Sequence, residues 1–278
     1  MSLDYIYYIN GEWLSNEKAM IPFNDAGFLY GDGLFETMRF DNNKIFSFDK
    51  HFQRLITGLD TINLSLPFNK IELIDILKKL IDKNNIDSGI LRLMITRGTL
   101  DSLLSSPPPN IYISIKSFYE IPQNPVEVIF YSEKNFPIIR YNPAIKSMNY
   151  LGNMLAKKTC ERDGAFEPVF YNHNNIITEC AIRNIFFVRE NILLTPALDL
   201  GILSGVMRDT IIDIAKSNNI KYQEAYISID ELDSIDEAFI SSTGIGLIPC
   251  YWGDKKFTYK VTFKIKKELF NIINNTNL

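Results

Sequence analysis

The chain has 278 residues, of which 46% are hydrophobic and 22% are charged, as in ordinary globular proteins. A formal net charge of −4 argues against the broad basic surface that nucleic acids or anionic membranes attract. Three scattered cysteines and two histidines, His51 and His173, argue against a disulfide framework and a zinc site. With no apolar run long enough for a signal peptide or a membrane span, we expect a soluble, cytoplasmic protein of one large domain or two.

The first part of the chain is predicted to pass from strands to helices. A hairpin is expected around Asn10-Gly11, and two more strands near residues 32–48. From Asp49 the hydrophobic period becomes helical, and Asn69 is expected to start a second helix. The inward stripes of these helices are predicted to comprise Phe52, Leu55, Ile56, Leu59 and Ile62, and then Ile71, Ile74, Leu77, Leu80 and Ile81.

Two further strands are predicted at residues 89–98 and 110–118, which are expected to be neighbours. The segment between them contains three consecutive prolines, at positions 107–109. Prolines in a row prevent regular structure, so this segment is predicted to be a loop that lies over a site.

The segment IPQNP, residues 121–125, is the predicted linker between two domains. It separates an N-terminal α/β domain, residues 1–120, from a C-terminal domain, residues 126–278, that carries Lys146. The C-terminal pattern again mixes strands with helices, one after Asn149 and one beginning near Gly205. The sequence therefore predicts a two-domain α/β (α+β) protein, with a cleft between the domains as the default site.

The segment KSMNYLGNMLAKK, residues 146–158, places a lysine just before a predicted helix. Leu151, Met154 and Leu155 fall at helical spacing, so this helix is expected to bury the face they share. A cation gains nothing at the start of a helix, where the dipole favours anions. Taken alone, Lys146 is predicted to be a solvated loop lysine.

Seven motifs between Tyr7 and Cys250 change that interpretation, because they occur in one order along nearly the whole chain. They are FNDAGFLYGDGLFETMR, HFQRL, LRLMITRG, KSMNYLGNMLA, ITECAIRNIFFV, LTPALDLGILSGVMRD and FISSTG. Together they resemble the fold-type IV pyridoxal-phosphate enzymes, or class IV aminotransferases. These include D-amino acid transaminase, branched-chain aminotransferase and aminodeoxychorismate lyase. The resemblance implies pyridoxal 5′-phosphate bound in the interdomain cleft of a homodimer.

The resemblance also implies a role for each matching residue. Lys146, in a K-x-x-N motif with Asn149, would carry the cofactor as an imine, which requires an amine that can be neutral. Glu179 would keep the pyridine nitrogen protonated, so that the cofactor can act as an electron sink. Arg54 would bind the phosphate. The other implied cofactor contacts are made by Leu203, Val206, Met207 and Thr243.

The substrate carboxylate needs a fork of donors, which arginine provides. Arg39, Arg97 and Arg183 lie within or beside site motifs, and we expect at least one of Arg39 and Arg183 to bind the carboxylate. Phe35 is predicted to line the pocket. The best-known D-amino acid transaminases have a P-R-x-H motif after their T-R-G strand, and its absence from TRGTLDSLLSSPPP argues against that subclass.

The favoured function is transfer of an amino group between an amino acid and a 2-oxo acid, with Lys146 shuttling a proton. One alternative is an aminodeoxychorismate lyase, which eliminates pyruvate to leave 4-aminobenzoate. Another is a non-catalytic module that kept the fold, which the intact set of Lys146, Glu179 and Arg54 opposes. No metal, nucleic acid or membrane is expected as a partner. His51 is predicted to pack or cap, and His173 is given no role.

Overall fold

The computed structural model describes residues 4–102, 105–118 and 120–275, and it divides the chain into two units. The first comprises Met1–Tyr119 and Ile145–Asn149, and the second comprises Glu120–Ala144 and Tyr150–Leu278. Each unit combines helices with a sheet, which confirms the predicted α/β class. The lysine segment groups with the first unit, whereas the sequence predicts it within the C-terminal domain.

The first unit contains an antiparallel sheet. Its described strands are β1 (Ile6–Ile9), β2 (Glu12–Ser15), β3 (Gly33–Asp41), β4 (Lys44–Ile45), β5 (Ser88–Thr96) and β6 (Asn110–Ser117), in the spatial order β2-β1-β6-β5-β3-β4. The predicted hairpin is confirmed, with Asn10 at φ 48° and Gly11 at φ 100° in the turn between β1 and β2. The predicted pairing of β5 with β6 is also confirmed. In the loop that joins them, Leu103 and Leu104 lie outside the described residues.

Three described helices complete the first unit: α1 (Ala26–Tyr30), α2 (Phe48–Thr61) and α3 (Lys70–Asn84). Asn69 starts α3 through a capping box with Glu72, as predicted. The two predicted stripes are buried or partly buried except at Ile71, which is 71% exposed. The prediction was wrong there because the buried stripe of α3 runs from Leu73 through Leu77, and Ile71 lies on another face.

The second unit contains a mixed sheet and three described helices. Its strands are β7 (Val126–Ser132), β8 (Glu167–Tyr171), β9 (Ile177–Cys180), β10 (Asn184–Arg189), β11 (Ile192–Pro196), β12 (Tyr222–Ala225), β13 (Glu237–Ser242) and β14 (Gly246–Tyr251), in the spatial order β12-β11-β10-β13-β14-β7-β8-β9. The helices are α4 (Leu151–Arg162), α5 (Val206–Ser217) and α6 (Lys260–Asn275). Both α5 and α6 pack against β13 near the middle of the sheet.

Helix α4 buries a different face from the one that its sequence predicts. Three residues predicted to point inward are 40–70% exposed: Leu151, Met154 and Leu155. The buried face is formed by Gly152, Ala156 and Cys160. A Cβ atom at Gly152 would lie 2.3 Å from the carbonyl oxygen of Pro137, so the helix approaches neighbouring backbone too closely for a large side chain. The buried face of α4 therefore consists of small residues, and the spacing of large hydrophobic residues could not predict which face is buried.

The start of α1 depends on a buried carboxylate. Asp25, 1% exposed, caps the helix by accepting the N–H of Phe28 at 3.1 Å. Its other oxygen accepts hydrogen bonds from Thr96 at 2.7 Å, Asn110 at 2.8 Å and Tyr112 at 2.8 Å. Burial, reinforced by the Asp25 carboxylate, raises the pKa of the Tyr112 hydroxyl, which therefore remains a donor. This carboxylate joins α1 to β5 and β6.

We predict that Asp25→Ala lowers the free energy of unfolding by at least about 3 kcal/mol, because three buried donors lose their acceptor together. Asn69→Ala is the matched control, since it removes an exposed helix cap and should cost only about 1 kcal/mol. Urea unfolding of both variants measures the difference. Equal losses would mean that the Asp25 network contributes nothing beyond a helix cap.

Candidate active site

Lys146 lies in a short extension of the first sheet. Its carbonyl accepts the N–H of Phe35 at 3.0 Å, and the N–H of Met148 donates to the carbonyl of Gly33 at 3.0 Å. These bonds pair residues 146–148 with the beginning of β3. The backbone of Lys146 is therefore fixed by strand pairing, which a solvated loop lysine would lack.

Asn149 closes the K-x-x-N motif by binding the turn after α1. Its Nδ2 donates to the carbonyl of Gly31 at 3.2 Å, and its backbone N–H donates to Oγ of Ser147 at 3.2 Å. Gly31 has φ 67°, and a Cβ atom there would lie 2.4 Å from Oδ1 of Asn149. Only glycine meets both the conformational and the steric requirement. The glycine in the turn after α1 is therefore required for the contact with Asn149 of the lysine motif.

The side chain of Lys146 contacts Phe35, so two residues predicted for the site are brought together. Nζ of Lys146 lies 4.5 Å from the centroid of the Phe35 ring. The guanidinium carbon of Arg92, a residue not predicted for the site, lies 4.1 Å from the same centroid. Both distances are typical of cation–π contacts.

Arg54 is held by a buried carboxylate of β3. Its Nε lies 2.7 Å from Oε1 of Glu36, and its Nη2 lies 2.7 Å from Oε2. His51, one helical turn earlier in α2, places Nδ1 2.7 Å from the same Oε2. His51 is fully buried, so it packs as predicted, and Glu36 is one of its contacts. A bidentate pair fixes the plane of the guanidinium, so Arg54 is oriented before any anion binds.

The electrostatics of this cluster keep Glu36 ionised. Burial would raise the pKa of Glu36, but the charges of Arg54 and His51 hold it well below its ordinary value. Burial lowers the pKa of His51, and the Glu36 carboxylate only partly offsets that effect. Glu36 was not predicted as a site residue, although strand alternation places it on the same face as Leu34 and Met38. A buried carboxylate needs a charged or hydrogen-bonding partner, so a glutamate on the core face of a strand could have been predicted to pair with a cation.

In the second unit, Glu179 lies at the centre of a polar network. One of its oxygens contacts the guanidinium of Arg140, and the other is 3.4 Å from the backbone nitrogen of Leu203. Arg140 also contacts Glu133 and donates to Oγ1 of Thr178 at 3.1 Å. Burial lowers the pKa of Arg140, but the two carboxylates outweigh it, so the net shift is upward. Arg140 was not predicted as a site residue, because it lies outside the helices and strands in which hydrophobic periodicity is informative.

Helix α5 begins near Gly205, as predicted, and its first two residues are among the predicted cofactor contacts. Val206 and Met207 begin the helix after Gly205, which provides no side-chain cap for the first N–H groups. A Cβ atom at Gly205 would lie 2.2 Å from Oδ1 of Asn184, so a residue with a side chain does not fit at this position. The side chains of Val206 and Met207 are buried, which leaves their amides as the groups suited to binding. Thr243, just after β13, is 8% exposed.

The three arginines predicted for the substrate are each paired with a carboxylate of their own unit. The pairs are Arg39 with Asp41, Arg97 with Asp32 and Arg183 with Glu167. Burial raises the pKa of Glu167, and Arg183 opposes that shift. Arg183 is 8% exposed and also lies over the ring of Phe166, with 4.7 Å to the centroid. The described contacts give these arginines structural roles, and substrate binding by Arg39 or Arg183 stays a prediction.

Two features do not occur in the part of the chain that the structure describes. No group of three or more His, Cys, Asp or Glu side chains there is arranged to hold a metal ion. No helix among the same residues is both long and apolar enough to cross a bilayer.

Comparison with known proteins identifies similar chains. The family model for amino-transferase class IV matches residues 33–251. A D-alanine aminotransferase of Listeria monocytogenes is 33% identical over 248 residues, which cover 87% of this chain and 85% of the relative. A putative branched-chain-amino-acid aminotransferase of Methanocaldococcus jannaschii is 30% identical over 274 residues, covering 95% of both chains. Among solved structures, the branched-chain amino acid aminotransferase of Escherichia coli matches with a TM-score of 0.88 at 25% identity, covering 97% of this chain and 95% of that one.

The Glu36 cluster predicts a specific dependence of stability on pH. Because the pKa of Glu36 is lower in the folded state, its stabilisation is complete above the ordinary value of 4.5 and is lost as pH falls toward the folded value. Glu36→Gln should cost about 3–5 kcal/mol at pH 7, the penalty for breaking a buried pair. Its stability should also fall less steeply than that of the wild type below about pH 4.5.

Urea unfolding at a series of pH values tests this prediction. Glu161→Gln, at an exposed position of α4, is the control and should keep the wild-type slope. A Glu36→Gln protein with the wild-type slope would show that Glu36 is not the group responsible.

Proposed function

The chain belongs to the class IV aminotransferase family, and we propose that this enzyme transfers an amino group between an amino acid and a 2-oxo acid with pyridoxal 5′-phosphate as cofactor. The observation that carries the proposal is the position of Lys146. Strand pairing holds its backbone on β3, and its Nζ lies 4.5 Å from the Phe35 ring. A lysine so constrained is suited to a chemical role.

The donor set of the chain fits each part of that cofactor. An amine suits the aldehyde, a carboxylate suits the pyridine nitrogen, and a guanidinium with helix-start amides suits the phosphate. We assign these contacts to Lys146, Glu179 and Arg54 respectively. The remaining contacts are assigned to Leu203, Val206, Met207 and Thr243.

The proposed residues divide the chemical work among them. Pyridoxal 5′-phosphate, when bound, withdraws electrons from the substrate's alpha carbon and so weakens its C–H bond. Lys146 takes the proton from that carbon as a general base. The ring of Phe35 limits the positions open to Nζ and keeps water from one side of it. Arg54, already oriented by Glu36, binds the phosphate charge without further ordering.

Glu179 has a purely electrostatic task. Its carboxylate holds the proton on the pyridine nitrogen, and only a protonated nitrogen accepts electrons well. The Leu203 amide, 3.4 Å from Oε2, helps to orient the carboxylate. A preorganised charge of this kind acts without rearrangement at the moment of reaction.

Lys146→Ala is expected to lose both the absorbance of lysine-bound cofactor and the aminotransferase activity, by at least about a hundredfold, because the general base is removed. Lys158→Ala is the matched control, since Lys158 is exposed near the end of α4 and should be dispensable. Absorbance spectra before and after borohydride reduction, together with coupled assays, provide the measurements. A chromophore still covalently attached to Lys146→Ala would overturn the assignment.

We predict that amino transfer to 2-oxoglutarate or pyruvate will be the main reaction. The assay compares D-alanine with branched-chain amino acids as donors, because relatives named for each are similar to this chain. Aminodeoxychorismate is offered in parallel. Release of 4-aminobenzoate without amino transfer would replace the proposed function with the lyase.

A further inference from the structure

Arg140 is held between two carboxylates of the second unit, Glu133 and Glu179. The side chains of all three residues are only 20–23% exposed. Thr178 donates to Glu133 at 2.7 Å, so the outer carboxylate is fixed as well. Nε of Arg140 is buried and has no hydrogen-bond partner among the described residues. The arginine leaves one donor unsatisfied while its two terminal nitrogens bind the carboxylates.

The formal charges of this cluster sum to −1, since one guanidinium faces two carboxylates. Without Arg140, the two carboxylates would repel each other in a partly buried space, and the cluster would carry a formal charge of −2. Without Glu133, the guanidinium would cancel the whole charge of Glu179. The observed set therefore carries one negative charge, the amount needed to balance one protonated pyridine nitrogen.

Two other titratable groups of this unit, Cys180 and Glu167, do not change that balance. Burial raises the pKa of the neighbouring Cys180 thiol well above its ordinary value, so it is neutral. Glu167 on β8 is compensated by Arg183. The charge beside Glu179 is thus set by Arg140 and Glu133.

We propose that Arg140 and Glu133 are positioning residues that together set the net charge that Glu179 presents to the pyridine nitrogen of the cofactor. The inference rests on the proposed function, in which Glu179 is the partner of that nitrogen. Arg140 orients Glu179 and neutralises one of the two carboxylate charges. Because Glu133 supplies the second carboxylate, the cluster keeps a net charge of −1. Neither residue touches the reacting atoms in this scheme.

The test is a charge-balance cycle of Arg140→Gln, Glu133→Gln and the double variant. The readout is the midpoint of the pH titration of the bound cofactor's absorbance. Loss of the cation should raise this midpoint by about one to three pH units, and loss of the outer carboxylate should lower it by a similar amount. The double variant again carries a charge of −1, so its midpoint and kcat should return toward the wild-type values.

Glu237→Gln is the control for a merely structural role. Glu237 is a buried carboxylate of the same unit that accepts N–H groups of Val261 and Thr262 at the start of α6. Its loss should lower the melting temperature without moving the midpoint. Shifts in the same direction for both single variants, or a double variant further from the wild type than either, would overturn the proposal.

A second measurement uses the apoprotein and does not depend on cofactor chemistry. Arg140→Gln leaves two carboxylates unpaired, and protonation relieves their repulsion in the folded state. Its stability deficit relative to the wild type should therefore grow as pH rises from about 5 to 8. A constant deficit would contradict the inferred pairing. The proposed function itself fails if the wild type shows neither a cofactor absorbance nor amino transfer, whatever the apoprotein does.

Discussion

The bidentate pair between Glu36 and Arg54 constrains the whole first unit, because a carboxylate buried this deeply must keep its partner. It fixes α2 against β3, and it also fixes the register of β3. Successive strand residues point to opposite faces, so Glu36 meets α2 while Phe35 meets Lys146. A slip of one residue would turn the phenyl ring toward Arg54 and a carboxylate toward the lysine. The ladder between β3 and β5 opposes that slip along the full length of β3.

Both units use the same physical device, an arginine oriented by carboxylates. In the first unit Glu36 holds Arg54, and in the second Glu133 and Glu179 hold Arg140. Buried ion pairs contribute little net stability, because desolvation offsets most of their attraction. Their effect here is directional, since each guanidinium has few positions that satisfy its acceptors. Such preorganisation reduces the ordering that ligand binding would otherwise require.

The sequence predicted the parts of this structure that are encoded locally. The Asn10-Gly11 turn and the cap at Asn69 depend on neighbouring residues, and both are confirmed. The face of α4 could not be predicted, because contact of Gly152 with distant backbone decides it. Arg140 gave no signal, since its role comes from carboxylates brought to it by the fold. In the candidate site, the order of the motifs along the chain was enough to predict Lys146 as the cofactor lysine. The pairing of residues 146–148 with β3 is long-range and was found only in the structure.

The assignment of Ile145–Asn149 to the first unit has a consequence for the connectivity of the chain. The polypeptide passes from one unit to the other three times, after residues 119, 144 and 149. A break at the predicted linker would leave the lysine on one fragment and its supporting strand on the other. Neither half would then be an independently complete folding unit. A chimaera with a relative would have to take residues 145–149 from the parent that supplies β3, although they lie within the sequence of the other half.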